Sequence, residues 1–164
     1  SFTYLYDILH SNDHVSVDIE MLRRKYPYTV GFAGSPSSAI SITLSDYEPH
    51  QTLQIWRMID EILRTKRQIG QNYTTFDACW LRAVGFSLNI RLVDDTLIRH
   101  HVLWPELSHK LEFQTMQYTR EPYYKDEGKN FRPSEIKKFK RYNCKDCCIT
   151  YEIYNEQEKE FAEL

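Results

Sequence analysis

Asp13-His-Val-Ser-Val-Asp-Ile-Glu20 is the stretch that decides how this chain folds. Val15, Val17 and Ile19 alternate with Ser16, Asp18 and Glu20, which is the period of a β-strand with one apolar and one polar face. The polar face therefore carries Asp18 and Glu20 side by side. Two further β-prone runs follow, Tyr28 to Ala33 and Ala39 to Leu44, separated by Gly34-Ser35-Pro36-Ser37-Ser38, which has the residues of a hairpin turn. Three consecutive strands, paired antiparallel, open the domain.

Beyond them the period changes. Leu53, Ile55, Trp56, Ile59, Ile62 and Leu63 recur at helical spacing between Thr52 and Thr65, an amphipathic helix that crosses from one strand to the next. A short strand centres on Ile69, a helix is expected from Tyr73 to Val84 with Gly85 as its stop, and a further strand from Asn89 to Val93. Asp94-Asp95-Thr96 reads as a helix start, and the remainder as helices over Leu97 to Trp104, Glu106 to Tyr118 and Pro133 to Phe161. A polar loop, Thr119 to Phe131, separates the last two. Strands followed by alternating helix and strand indicate an α/β domain with a mixed sheet of about five strands flanked by helices.

Composition agrees with one such domain. The chain has 164 residues, 41% hydrophobic and 14% aromatic, enough apolar material for one core. No apolar run is long enough to cross a bilayer, and mean hydropathy is −0.59. Twenty-one basic residues against 23 acidic ones give a net charge of −2, which argues against holding nucleic acid by bulk charge alone. Four cysteines, three of them crowded at Cys144, Cys147 and Cys148, are a poor disulfide framework, so a reducing compartment such as the cytoplasm is expected. The chain shows no secretory signal, and its start without Met suggests processing or excision from something larger.

Three acidic groups carry the candidate chemistry. Asp18 and Glu20 share a strand face, where a divalent cation would help keep both ionised, although an alternating strand with two exposed acids is also common. Asn72-Tyr-Thr-Thr-Phe76-Asp77 follows a short strand and opens a helix, placing Asp77 near the carboxyl ends of the strands, where α/β sites lie; an acid favoured by the helix dipole reads the same way. Tyr142-Asn-Cys-Lys-Asp146 sets a phenol and a carboxylate one helical turn apart on one face, which also fits a core tyrosine beside a solvent-facing acid.

In that order, over Val15 to Tyr154, the motifs Asp-x-Glu, Asn-x3-Phe-Asp and Tyr-x3-Asp resemble the DEDD family of 3′-to-5′ exonucleases, in its tyrosine-bearing subclass. Ile69-Gly-Gln-Asn72, Phe76-Asp77, Asp95-Thr96-Leu97, Leu107-Ser-His-Lys-Leu111 and Tyr118-Thr-Arg-Glu-Pro-Tyr-Tyr-Lys125 are similar to the proofreading domain of phage-like family A DNA polymerases. The resemblance implies an RNase H-like fold and a single exonuclease domain over residues 1–164, excised from or associated with a DNA polymerase in cis or in trans. It implies that Asp18, Glu20, Asp77 and Asp146 bind two Mg²⁺ or Mn²⁺ ions, about 3.5–4 Å apart, and that Tyr142 orients the attacking water. Crowded acids without metal should have raised pKa values.

The substrate it implies is a single-stranded or frayed DNA 3′ end, released as nucleoside 5′-monophosphates, with Glu20 also contacting the terminal 3′-hydroxyl. Asn72 and Phe76 match positions at the terminal nucleotides. Met21 stands where many members carry Thr, so a main-chain contact there is possible and a hydroxyl contact is not. Tyr123, Tyr124 and Lys125 are the stacking and backbone-binding candidates in the polar loop, and Asp95 is expected to support the site. An RNase D-like ribonuclease shares the three motifs. A catalytically silent binding module would lack one of the acids, and all four are present.

Other features are read as structural. Cys144-x-x-Cys147 lacks a second ligand pair for zinc and is expected to be inert. His100 and His101 are expected at the surface or as caps, Trp56, Trp80 and Trp104 in the core, and the run Lys137, Lys138, Lys140 and Arg141 on a solvated helix face.

Overall fold

The computed structural model describes residues 2–22, 26–122, 124 and 135–164. The opening alternation forms β1 (His14–Leu22), followed by the antiparallel strands β2 (Tyr26–Ser35) and β3 (Ser38–Ile42). Helix α2 (Pro49–Thr65) then carries the chain across to β4 (Arg67–Gly70), parallel to β1, and β5 (Val93–Asp95) lies parallel to β4. The order β3-β2-β1-β4-β5 is the expected mixed five-stranded sheet.

Val15, Val17 and Ile19 are buried in the main core with Phe32, Ile55, Ile59, Ile62, Leu63 and Leu81. Burial of each such side chain contributes about 1.5–3 kcal/mol, so the apolar face of β1 is strongly committed to this side. A helix that the sequence reading did not assign, α1 (Phe2–Ser11), covers part of the same face with Leu5 and Ile8. Helix α2 starts where Pro49 supplies a preset φ and Gln51 accepts the Glu48 N–H, and its four buried positions are Ile55, Ile59, Ile62 and Leu63. The opposite sheet face is closed by α6 (Ile136–Ala162), which packs on β1, β2 and β3.

Three local expectations shift. Helix α3 begins at Asp77 and ends at Ala83. Residues 72–76 are held as a turn because the Asp95 carboxylate accepts the N–H groups of Asn72 and Thr74, with Asn72 at φ 56°. Strand β5 starts at Val93, since Asn89 accepts the Arg91 N–H and Ile90–Leu92 winds into a 3₁₀ turn. Helix α4 (Thr96–Leu103) is capped by Asp95 as expected, whereas α5 begins only at Leu111 and runs to Tyr118. The side chains of Gln71 and Gln114 both donate to the His109 carbonyl and pin the preceding turn against the end of β4.

His100 is fully buried, contrary to its expected surface position: its Nδ1 lies 2.7 Å from Nδ1 of His109, and its Nε2 lies 3.0 Å from Gln117 Oε1. Trp104 is 39% exposed at the end of α4 and donates to Glu160, so it is not a core residue. Among the described residues, no helix is long and apolar enough to cross a membrane.

Candidate active site

The polar face of β1 meets α6 at close range. In the β1–β2 register, Asp18 stands opposite Gly31 and Glu20 opposite Thr29. A Cβ on Gly31 would lie 2.6 Å from both Asn143 Oδ1 and Cys147 Sγ, so the bare glycine is what lets α6 lie this near. Asn143 uses that approach: its amide donates to the main-chain oxygen of Asp18 at 3.2 Å and to its carboxylate at 2.7 Å, and Thr29 donates to its Oδ1 at 3.4 Å. The ladder register shifts between Glu20 and Met21, a bulge at the point where β1 leaves the site.

Asp18, Glu20 and Asp146 consequently form a cluster, each offering an oxygen within 4.8 Å of the other two. Asp146 is buried, while Asp18 and Glu20 are half-buried. Asp146 is thus not the solvent-facing acid that its motif alone also allowed. Three carboxylates at this separation repel one another unless a cation or protons intervene, and an all-oxygen set of hard anionic donors suits Mg²⁺ or Mn²⁺. The cluster therefore fits the divalent ions expected from the motifs.

Asp77 stands outside that trio. Its Oδ1 accepts the Ile19 N–H at 2.8 Å, tying α3 to the middle of β1. Burial pushes its carboxyl up to about 7, against the pull of the Ile19 and Asp77 N–H groups and with added repulsion from Asp95 and Asp146. The start of α3 therefore places a carboxyl with a raised pKa against the main chain between the two acids of β1.

Tyr142 is half-buried among the acids. Burial, then Asp146, Glu20 and Asp18, raise its phenol well above the ordinary range, so it remains protonated and can orient a water but is a poor base. Tyr124 is placed differently from a base-stacking platform. It is only 2% exposed, its hydroxyl donates to Asp146 Oδ1 at 2.6 Å, and its ring lies 5.9 Å from that of Tyr142. Tyr123 and Lys125 lie outside the described residues. Phe76 is 41% exposed and Asn72 is exposed beside it, whereas Met21 is half-buried against the main core. Asp95 accepts from Asn72 and Leu97 on one oxygen and from the Thr74 N–H and hydroxyl on the other, which fixes the turn leading to Phe76 and Asp77.

Cys147 is fully buried and its thiol is pushed up by burial; Cys144 and Cys148 are raised for the same reason. The sequence reading assigned nothing to Gly31 or Asn143. A glycine inside a strand and an asparagine, a weak helix former, inside a 27-residue helix were the available signals.

No family model and no curated protein matches the sequence. Solved structures do match in shape. The Aedes aegypti Nibbler EXO domain superposes with a TM-score of 0.72 at 13% identity, over 99% of this chain and 84% of that one. Brucella melitensis NrnC with bound Mg²⁺ gives 0.64 at 16%, over 96% and 77%. The POL domain of Pol1 from M. smegmatis, in complex with DNA primer-template and dNTP, gives 0.72 at 11%, and this chain spans only 26% of that one. Likeness at such identities speaks to the fold, and the chain has the RNase H-like exonuclease fold.

Proposed function

We propose that this chain is a metal-dependent 3′-to-5′ exonuclease of the proofreading type, acting on single-stranded or frayed DNA ends. The observation that carries the reading is the convergence of Asp18, Glu20 and Asp146 within 4.8 Å of one another, with Tyr142 one helical turn from Asp146. Asp18, Glu20 and Asp146 would hold the divalent ions, and Asp77, on the Ile19 N–H, would complete the set. When bound, such a pair supplies Lewis-acid stabilisation of charge on the attacking and leaving oxygens.

The rest falls to the protein's own groups. Tyr142 keeps its proton and orients the incoming water by hydrogen bonding. Glu20 receives the terminal 3′-hydroxyl, and Asn72 and Phe76 flank the last nucleotides on the exposed turn that Asp95 holds in place. Water adds to the terminal phosphodiester, the bond from phosphorus to the 3′-oxygen breaks, and that oxygen leaves as a hydroxyl. The excised nucleotide keeps the phosphate on its 5′-oxygen.

The similarity of Ile69 to Asn72, Asp95 to Leu97 and Tyr118 to Lys125 to polymerase editing domains supports DNA as substrate and a polymerase domain as partner in cis or in trans. The test is digestion of 5′-labelled single-stranded DNA and RNA of one sequence, with Mg²⁺, Mn²⁺ or chelator, alongside Asp18→Ala and Asp146→Ala. A metal-dependent ladder shortening from the DNA 3′ end, lost in both variants, is expected. Preference for RNA transfers the chain to the ribonuclease branch, and no ladder from folded protein overturns the reading.

A further inference from the structure

The hydroxyl of Tyr124 donates to Asp146 Oδ1 at 2.6 Å, well within hydrogen-bond length. Asp146 is 5% exposed, so its oxygens rely on protein donors rather than bulk water. Tyr124 is itself held in place. With Ile149 and Ile153 it forms a small separate core, bordered by Leu111, Tyr118 and Tyr142. The Lys145 ammonium sits 4.3 Å from the centre of the Tyr124 ring and pairs at 2.6 Å with Glu121, which precedes Tyr124 by three residues. The segment after α5 is thus held to α6 at Glu121 and at Tyr124 itself.

We infer that Tyr124 is a positioning residue: it fixes the plane of the Asp146 carboxylate towards Asp18 and Glu20, and through it the affinity of the cluster for divalent metal. This rests on the metal-centre reading above and assigns Tyr124 to the metal side of the site instead of the strand-binding side. One side chain cannot do both as placed, because a ring buried between Tyr142, Ile149 and Ile153 offers no face to a base. Outer-shell donors of this kind are worth about 10–100-fold in metal affinity.

The test is titration of the 164-residue chain with Mn²⁺, free ion being read by electron paramagnetic resonance, for the parent protein, Tyr124→Phe, Ile149→Val and Asp146→Asn. Tyr124→Phe keeps the ring and removes only the donor. It is expected to weaken Mn²⁺ binding about tenfold or more, and to lower kcat at subsaturating metal while KM for a DNA oligonucleotide stays unchanged and excess Mn²⁺ restores the rate. Ile149→Val trims the same small core, spares the hydroxyl and should bind Mn²⁺ like the parent. Unchanged Mn²⁺ affinity in Tyr124→Phe with loss in Asp146→Asn overturns the inference alone. A raised KM with unchanged metal affinity returns Tyr124 to the substrate side, and equal losses in Ile149→Val and Tyr124→Phe reduce its role to packing. Parent-like Mn²⁺ affinity in Asp146→Asn removes the metal-centre reading, and this inference with it.

Discussion

Asn143 donates its side-chain amide to the carboxylate of Asp18 at 2.7 Å and to the main-chain oxygen of the same residue at 3.2 Å. One buried amide in the last helix thereby fixes both the position and the direction of the first acid on the first strand. Asn143→Ala leaves Asp18 without that donor, and hydrogen bonds to charged groups contribute about 1.5–3 kcal/mol. Urea unfolding should show a loss of that order, with nuclease activity falling by more than stability alone accounts for. Asn143→Asp sets a like charge against Asp18 and should be the more harmful of the two in metal-free protein.

Gly31→Ala tests the closeness of α6. Its methyl group would meet Asn143 Oδ1 and Cys147 Sγ at 2.6 Å, whereas a methyl group at Gly34 comes no nearer than 3.1 Å, to the side chain of Asn12. Overpacking costs about 1–3 kcal/mol, and here the helix must withdraw from Asp18 to relieve it. Gly31→Ala should lower both the denaturation midpoint and the nuclease rate, with Gly34→Ala close to the parent in rate. Equal rates in the two variants would dissociate the helix–strand spacing from the site.

Tyr142→Phe separates orientation from metal binding. Misplacing a reacting water costs on the order of 10²-fold in rate, so kcat should fall by that order while Mn²⁺ affinity changes little. Because its neighbours push the phenol up, the parent rate should show no tyrosine ionisation between about pH 8 and 10. Such an ionisation, lost in Tyr142→Phe, would make the residue a base instead.

Asp77 sets a pH dependence of stability in the metal-free protein. Its carboxyl rises from an ordinary 3.8 to about 7 on folding, so between these values the folded state holds a proton that the unfolded state has released. In chelator, stability should therefore decline as pH rises from about 4 to about 7. Asp77→Asn should flatten that decline, which thermal melts across the range would reveal. Added Mg²⁺ should raise the melting temperature at neutral pH in the parent and less so in the variant.

His109 acts in the opposite sense. His109 lies between His100 and His101, with its ring nitrogens 2.7 and 3.0 Å from theirs, and partial burial and those neighbours lower its pKa. The unfolded chain then binds the proton more readily, and this contribution to stability is lost as pH falls below about 6.5. Replacing His109 with Gln should reduce the acid-side loss in the same melts, and an unchanged profile would remove the histidines from the account.

The sheet was legible in the sequence because it rests on local periodicity, and the candidate site was legible through the family resemblance carried by its three ordered motifs. The alternation from Val15 to Glu20 dictated a strand with two acids on one face, and spacing of four dictated that Tyr142 and Asp146 share a helix face. Turn chemistry was less legible, because Asp95 competes for the N–H groups of Asn72 and Thr74 from 23 and 21 residues away and so delays α3. Only the tertiary structure decided how near the acids come to one another, that Asp146 is buried, and that Tyr124 is buried with its hydroxyl on Asp146. Those outcomes depend on Gly31 admitting Asn143 across 112 residues of chain and on Tyr124 meeting Asp146 across 22, contacts set by packing between elements that no periodicity within one element encodes.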